Sequence, residues 1–442
     1  MKQLFLPVLI CIVIAAGCRK DDLQSALPSI DASQESDAVD YTKLILPQSD
    51  HYDSIPQDPR NPLTLEKVEL GKLLFHETRL GGNPKFSEGL YTYSCASCHH
   101  AEAGFQAGLA QGISEGGVGF GVIGETRIPS PSYPKSLIDV QPIRTPSALN
   151  TAYQEVMLWN GSLGATGVNA NTQTLWTGPL SVNLLGYQGL ETLGFAAFPK
   201  HRLNVDTDWL TSNSTYKTLF DAAFPDTPIQ RRICLTTVSL AIAAYERTLL
   251  PNQSPFQRWI RGDKAALTPE ENAGRKLFFG KAGCNKCHKG PALSTNAFYA
   301  LAMSDMQEGV NGVINIPNDA LENKGRGGFT NKEGEKYKFK VPQLYNLKDV
   351  HFFGHGASFT SVEEVVRYFN NAVPQNPKVP VSRLPKSFVP LGLTDTEIAQ
   401  IVKFIENGLY DSNLSRYAPA SVPSGNCIPN NDAQSKIDRG CN

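Results

Sequence analysis

The pattern of apolar and polar residues along the chain predicts a mainly helical fold. After Thr64, apolar residues recur every three or four positions from Leu65 to Leu74, which is the spacing of one face of an α-helix. Similar stretches follow at 146–153, where the signal is weak, and at 228–250, 267–279, 361–371 and 394–408. The alternation typical of strands is sparse, so we expect helices joined by long loops.

Residues at the ends of the predicted helices support these boundaries. Thr268, Pro269 and the two acidic residues after them are typical of a helix start, and Pro251 ends the long helix before them. The 442 residues exceed one ordinary hydrophobic core, so we expect two domains that meet at about 251–260. Two Gly-rich spans, 103–142 and 308–336, should be long loops, and loops of that length are usually functional.

The predicted organisation has five segments: a signal peptide (1–18), a polar arm (19–60), an N-terminal domain (61–250), a C-terminal domain (251–415) and a polar tail (416–442). The first segment resembles a bacterial lipoprotein signal, because the apolar run from Leu4 to Ala16 leads through small residues to Cys18. That run is too short to span a bilayer core of about 30 Å. We therefore expect a chain in the periplasm or cell envelope, anchored by lipid on Cys18.

The net charge bears on the class of binding partner, and the cysteines bear on the cellular compartment. The 41 basic and 42 acidic residues give a net charge of −1, so no excess of positive charge favours a nucleic-acid partner. Of the nine cysteines, Cys427 and Cys441 lie in the polar tail and could pair in an oxidising compartment. Cys234 lies in an apolar run and should be a buried, unreactive thiol.

Two C-x-x-C-H motifs carry the chemistry. In such a motif the two thiols attach to the vinyl groups of a haem and the histidine ligates its iron. A zinc half-site or a thioredoxin-type redox pair is the alternative for one motif, but a histidine follows both times and the two pairs are far apart in sequence. The sequence therefore predicts two haem c groups. Their attachment residues are Cys95, Cys98 and His99, then Cys284, Cys287 and His288.

Around these motifs the chain resembles bacterial di-haem cytochrome c peroxidases and their MauG-type relatives. The matching segments, in order, are LGKLLF (70–75), RTPSALN (144–150), LWNG (158–161), GP (178–179), YERTL (245–249), VPQLYN (341–346) and FGHG (353–356). The resemblance extends over about 60–410.

The resemblance implies two cytochrome c-like helical domains with one haem in each. Peroxide would be reduced at the N-terminal haem, and the C-terminal haem would relay electrons from a small donor protein, a cytochrome c or a cupredoxin. Trp159 would lie between the haems, as a relay or as a packing residue. A pocket carboxylate is a natural general acid/base for cleaving the O–O bond, and Glu191 matches the family position, with Gln188 as the alternative pocket residue.

The chain also departs from the family pattern. Many members have a histidine after the first haem motif that ligates the resting iron, whereas this chain has none between His100 and His201, so we expect an open first haem. At the second haem, the family's sixth-ligand position falls on Phe369, and Tyr368, Met303 and Met306 are the candidates, with Tyr368 slightly preferred.

Two further positions bear on ligands near the haems. His355 matches a family histidine near the second haem and could either hydrogen-bond or ligate. The family also holds calcium between its domains, partly through an asparagine, and Arg144 at that place puts calcium in doubt.

The leading hypothesis is a peroxidase that reduces hydrogen peroxide to water with electrons from a small redox protein. The second is a MauG-like enzyme that oxidises a partner protein. The third is a non-enzymatic di-haem electron-transfer protein, which the open first haem disfavours because relay haems are normally six-coordinate.

Overall fold

Helices make up most of the regular structure. The computed structural model describes Met1 and residues 39–317 and 319–441. The predicted signal peptide, Cys18 and most of the polar arm lie outside the described residues. The helices in the described part are α1 (Leu65–His76), α2 (Gly189–Lys200), α3 (Thr207–Ser212), α4 (Ser214–Ala223), α5 (Leu235–Arg247), α6 (Pro255–Ile260), α7 (Pro269–Phe279), α8 (Arg326–Thr330), α9 (Val362–Asn371), α10 (Asp395–Lys403) and α11 (Ala433–Arg439).

Sheet structure is confined to two small antiparallel pairs within the described residues. Strands β1 (Gly117–Val118) and β2 (Ile128–Pro129) pair within the first Gly-rich loop. Strands β3 (Thr295–Tyr299) and β4 (Phe339–Val341) pair across the second, with Thr295 opposite Val341. The mainly helical prediction is confirmed. None of the helices in the described part is long and apolar enough to cross a membrane.

Several predicted helix boundaries agree with the structure. Thr64 caps α1 by accepting a hydrogen bond from the Lys67 amide, and Thr268 caps α7 in a reciprocal capping box with Glu271. The helix predicted at 228–250 is shorter, because Cys234 is its N-cap. The prediction that Cys234 is buried is wrong, since its side chain is only partly covered in this capping position.

Two pairs of helices cross in the same way. A Cβ on Gly71 of α1 would lie 1.9 Å from the Ala241 carbonyl oxygen of α5. A Cβ on Gly274 of α7 would lie 1.9 Å from the Gln400 carbonyl oxygen of α10. Each crossing therefore needs a glycine, because any side chain would push the two backbones apart. The two halves of the chain thus repeat one local arrangement of helices.

The apolar core has two large clusters, and each includes the first cysteine of one haem motif. One cluster contains Phe75, Tyr245 and, partly buried, Cys95. The other contains Phe278, Phe404 and, partly buried, Cys284. The described residues from position 39 onward nevertheless form one compact unit, so the domain boundary at 251–260 stays a prediction.

The C-terminal strap, residues 424–441, packs on the first half of the chain. A disulfide joins Cys427 to Cys441, a pairing that the sequence left open. The Ser94 hydroxyl donates to the Pro429 carbonyl at 3.0 Å, and the Asp432 carboxylate forms a buried ion pair with Arg127 at 3.3 Å. The predicted polar tail is therefore part of the folded structure and packs beside the first haem motif.

Candidate haem sites

The first C-x-x-C-H motif begins in a 3-10 turn, Cys95–Ser97, that presents His99. The Nδ1 atom of His99 lies 3.2 Å from the Phe105 carbonyl oxygen, and the Pro146 backbone also interacts with the ring. Because a carbonyl can only accept, Nδ1 carries the proton and Nε2 is the unprotonated nitrogen. Burial lowers the pKa of His99 to about 4, so the ring stays neutral, the form that ligates iron.

The second motif repeats this geometry. Its 3-10 turn is Cys284–Lys286, and the Nδ1 atom of His288 donates to the Leu293 carbonyl at 2.9 Å. The Pro342 backbone interacts with the ring as Pro146 does at His99. Burial lowers the pKa of His288, which again favours a neutral ring with Nε2 available.

These side chains fit two haem c groups. The four motif cysteines are all unpaired thiols rather than disulfides. Burial raises the pKa of Cys95, Cys98 and Cys284 to about 12, so these thiols are neutral in apolar surroundings. Two thiols and one oriented imidazole in each half are the protein groups that c-type haem attachment requires.

Trp159 connects the segments that support the two histidines. Its indole Nε1 donates to the Arg144 carbonyl at 2.8 Å, two residues before Pro146. Its own carbonyl accepts from the Lys340 amide at 2.8 Å, two residues before Pro342. A route of peptide and hydrogen bonds therefore runs from the segment at His99, through Trp159, to the segment at His288.

His355 lies beside this route and makes hydrogen-bonding contacts. Its Nε2 atom lies 3.2 Å from a carboxylate oxygen of Asp305. Its ring stacks on Phe339 at 3.6 Å and meets Trp159 edge-on at 6.5 Å between ring centroids. Of the two roles left open by the sequence, this geometry favours the hydrogen-bonding one.

Glu191 lies in the first turn of α2 and is fully buried. Arg247 holds both of its carboxylate oxygens, at 2.8 and 2.6 Å, and the Asn61 amide donates to one of them at 3.3 Å. Arg247 also donates to the Gln188 side chain at 3.2 Å. To take up a proton, Glu191 must loosen this bidentate pair. Arg247 has no local signal in the sequence beyond its place in the YERTL segment.

A second carboxylate, Glu246, acts electrostatically on the first haem motif. Its charge raises the pKa of Cys95, after the larger effect of burial. Burial and then the charge of Glu191 raise the pKa of Glu246 to about 8. This residue precedes Arg247 on α5, so the two carboxylates and the arginine form one buried group beside the motif.

His201 lies within electrostatic reach of His99, a proximity that the sequence does not reveal. It follows α2, and its Nδ1 atom pairs with Asp139 at 3.0 Å. Its charge contributes to the lowered pKa of His99, after burial. His100, which follows His99 in the chain, has both ring nitrogens directed at backbone carbonyls, those of Ala96 and Ile123. These two contacts hold its ring on one side of the motif.

The candidate sixth ligands of the second haem have different surroundings. The Tyr368 hydroxyl donates to the Leu301 carbonyl at 2.5 Å, so ligation of iron would require this bond to break. Burial raises the pKa of Tyr368 to about 12, which opposes the phenolate form. Met303 packs against the same apolar cluster as Cys284, whereas Met306 packs in a separate small cluster with Ala110.

Arg144 is the residue that the sequence resemblance predicts at the position of a calcium ligand. Its guanidinium donates to the Leu109 carbonyl at 2.7 Å, the Gln106 side chain at 3.1 Å and the Ala107 carbonyl at 3.3 Å. These oxygens already surround a positive group. A calcium ion therefore does not fit the side chains at this position.

Comparison with known proteins gives one family. A family model described as di-haem cytochrome c peroxidase matches residues 65–265. The methylamine utilization protein MauG of Methylorubrum extorquens is 28% identical over 385 residues, which cover 86% of this chain and 88% of that protein. The cytochrome-c peroxidase IdrP1 of Denitromonas iodatirespirans is 28% identical over 372 residues, covering 80% and 84%.

A solved structure supports the fold. It is described as a MauG-like protein associated with microbial copper homeostasis and is 24% identical, with a TM-score of 0.57 over 85% of this chain and 97% of that one. Together with the two haem motifs and their matched surroundings, these comparisons show that the chain is similar over most of its length to bacterial di-haem cytochrome c peroxidases and to MauG-type proteins.

Proposed function

We propose that the protein is a di-haem peroxidase that reduces hydrogen peroxide to water with electrons from a small redox protein. The observation that carries this proposal is the repeated site: two partly buried histidines, each with a lowered pKa and an oriented Nε2 atom, and each beside two free thiols. Haem iron, bound at both places, would supply the redox chemistry.

The two haems would have different roles, and each would be held by its own set of residues. His99 with Cys95 and Cys98 would hold the haem at which peroxide reacts, and His288 with Cys284 and Cys287 would hold the relay haem. Each turnover consumes one H₂O₂, two electrons and two protons and releases two water molecules. The electrons enter singly from the donor, a cytochrome c or a cupredoxin, and reach the first haem by way of the second.

Trp159 supports the relay role because of what it joins. Its side chain and its backbone each bond one of the segments that carry the proximal histidines. A route made only of covalent and hydrogen bonds couples two redox centres better than one with a through-space gap. These contacts support both roles that the sequence allows for Trp159, packing and relay, and the two roles do not exclude each other.

Proton movement would fall to the buried group at the start of α2. Glu191 is the proposed acid/base because its position matches the family, and Arg247 would return it to the same orientation after each turnover. Burial and the charge of Glu191 raise the pKa of Glu246 to about 8, so Glu246 can hold a proton at neutral pH. With Glu246 protonated, Arg247 would have one carboxylate charge to balance.

The cellular setting follows the family and the first segment of the sequence. We propose that the chain acts in the periplasm or cell envelope and is held there by lipid on Cys18. Globomycin treatment of the producing cells, which blocks removal of lipoprotein signals, should leave a longer chain. Processing to the same length with and without the drug would contradict the anchor.

One set of spectra tests the main proposal. The oxidised protein as isolated should show one high-spin and one low-spin haem by EPR, and peroxide should be consumed only when a reduced donor is supplied. A protein inert to peroxide would contradict both enzymatic functions. Turnover that requires an oxidisable partner protein, and not a reduced donor, would favour the MauG-like alternative.

His201 gives this test a second arm. If the first haem is open, the spectrum of His201→Ala should match that of the wild type. If instead the wild type is wholly low-spin and His201→Ala becomes partly high-spin, His201 ligates the resting iron and the open-haem prediction is wrong.

A further inference from the structure

Two buried basic residues occupy equivalent positions in the two halves of the chain. Arg144 precedes Pro146 by two residues, and Lys340 precedes Pro342 by two residues. The backbones of these prolines interact with His99 and His288 respectively. Because each basic residue is tied to a proximal histidine through the same short segment, each belongs to one haem site.

Neither residue has an anionic partner among the described residues. Lys340 donates to the Val156 carbonyl at 2.5 Å and to the side-chain oxygen of Gln154. Arg144 donates only to two carbonyls and the Gln106 amide oxygen. Both are at least nine-tenths buried. An unpaired cation in the interior is strongly unfavourable, so a missing negative group is expected nearby.

Two other buried arginines in the same molecule do have such a partner. Arg127 pairs with Asp432 at 3.3 Å, and Arg247 pairs with Glu191 at 2.6 Å. Arg144 and Lys340 thus differ from Arg127 and Arg247 in having no acidic partner among the described residues. Burial without an acidic partner lowers the pKa of Arg144 to about 9 and that of Lys340 to about 7.

We propose that Arg144 and Lys340 are the cationic partners of the haem propionates, Arg144 at the haem of His99 and Lys340 at the haem of His288. The inference rests on the proposed function in that it requires both haems. It adds the residues that bind the carboxylate edge of each haem and that set its reduction potential. A positive charge close to a haem favours the reduced iron, so each cation should raise the potential of its own haem.

Redox titration of the full-length protein tests this assignment. Lys340→Met and Arg144→Met remove one buried charge each, whereas Lys340→Arg and Arg144→Lys keep it. Lys332→Met removes a lysine of the same region whose side chain is 67% exposed, and it serves as the matched control. The two haem potentials are read separately from the optical spectra during the titration.

Each charge-removing variant should lower the equilibrium constant for reduction of its own haem by about tenfold, which corresponds to about 59 mV for one electron. The charge-keeping variants and Lys332→Met should change it less than about twofold. Potentials that stay unchanged in both Met variants would overturn the proposal. A shift in Lys332→Met as large as that in Lys340→Met would overturn it as well.

A second measurement does not depend on the stability of the Met variants. Resonance Raman spectra report the propionate bending modes of each haem, and these should shift between the wild type and Arg144→Lys because the donor geometry changes. Identical modes would contradict the contact. A protein that binds both haems but is inert to peroxide would refute the proposed function and leave these readouts valid.

Discussion

The pair of Glu191 and Arg247 shows how one residue can be needed for both folding and chemistry. Glu191→Gln keeps the shape of the side chain and removes its ability to take a proton. We expect peroxide cleavage to slow by about 10²-fold or more, because a positioned acid/base contributes roughly that factor. Stopped-flow absorbance of the reduced protein mixed with peroxide measures this rate. Glu155→Gln, at an exposed carboxylate, is the control and should react like the wild type.

The unfolding free energy of the same variant separates the two roles. Leaving a buried charge without its partner costs about 3–5 kcal/mol, so Glu191→Gln should also lower stability because Arg247 loses its counter-charge. If stability falls while the peroxide rate is unchanged, Glu191 is a structural residue and another group moves the proton.

Glu246 should make stability depend on pH. Its pKa is about 8 in the folded protein, against 4.5 for an exposed glutamate, so the folded state binds a proton that the unfolded state releases between these values. Stability is therefore greatest below about pH 4.5 for this group and falls as pH rises towards 8. Glu246→Gln should remove this part of the decline.

Denaturant titrations at about pH 5 and about pH 8.5 measure the effect. The difference in unfolding free energy between the two pH values should be smaller in Glu246→Gln than in the wild type by more than about 1 kcal/mol. Equal differences in the two proteins would mean that Glu246 is ionised throughout.

At the scale of elements, the two helix crossings make the same demand on the sequence. Gly71→Ala and Gly274→Ala each place a methyl group where a carbonyl oxygen of the facing helix lies. Overpacking of this kind usually costs about 1–3 kcal/mol, and the cost here should be at the upper end because the obstacle is backbone. Thermal unfolding should show the loss in both variants. Gly334→Ala, where a Cβ would meet nothing within 4 Å, should leave the melting temperature unchanged.

Helices with local signals are the ones that the sequence predicts. Helices α1 and α7 carry a threonine cap and clear apolar spacing, so their starts agree with prediction to the residue. The sequence of helix α2 has no such signal, because its apolar residues and glycines are not confined to one face and Pro199 lies inside the helix. Its formation depends on packing against α5, which local sequence does not encode.

The residues of the haem sites also differ in how far the local sequence predicts them. Attachment and proximal residues lie within five consecutive positions, so a motif predicts them. The partners of Glu191, Arg144 and Lys340 come from distant parts of the chain, and only the fold brings them together. The repeated order of a basic residue, one other residue and a proline is visible in the sequence, but its meaning depends on the histidine that each proline meets.

At the scale of the whole molecule, the C-terminal strap ties the end of the chain to the first haem motif. The disulfide closes a loop with a sequence separation of 14, and in the chain-entropy model such a loop contributes about 3 kcal/mol. Cys427→Ser together with Cys441→Ser should therefore lower stability and increase hydrogen exchange at residues 92–97, which the strap covers. Cys234→Ser, the control at a free thiol, should do neither. Unchanged exchange in the double variant would show that hydrogen bonds alone hold the strap.

We expect that the activity of the whole enzyme does not depend on divalent cations. Three oxygens near the first loop already accept hydrogen bonds from Arg144, so the positive charge that a calcium ion would bring is part of the chain. Extended treatment with EGTA should therefore leave haem spectra and peroxide turnover of the wild type unchanged. Arg144→Asn removes the charge and frees the same oxygens, which are ligands that calcium prefers.

This variant should lose turnover in EGTA and recover it when calcium is added, whereas Arg144→Lys should stay insensitive because it keeps the charge. Loss of turnover by the wild type in EGTA, with recovery on calcium, would mean that a calcium site exists elsewhere in the protein. Arg144→Asn that stays fully active in EGTA would mean that the positive charge at this position is dispensable. Only the combination of an insensitive wild type and a calcium-dependent variant supports the view that the guanidinium does the work of a bound ion.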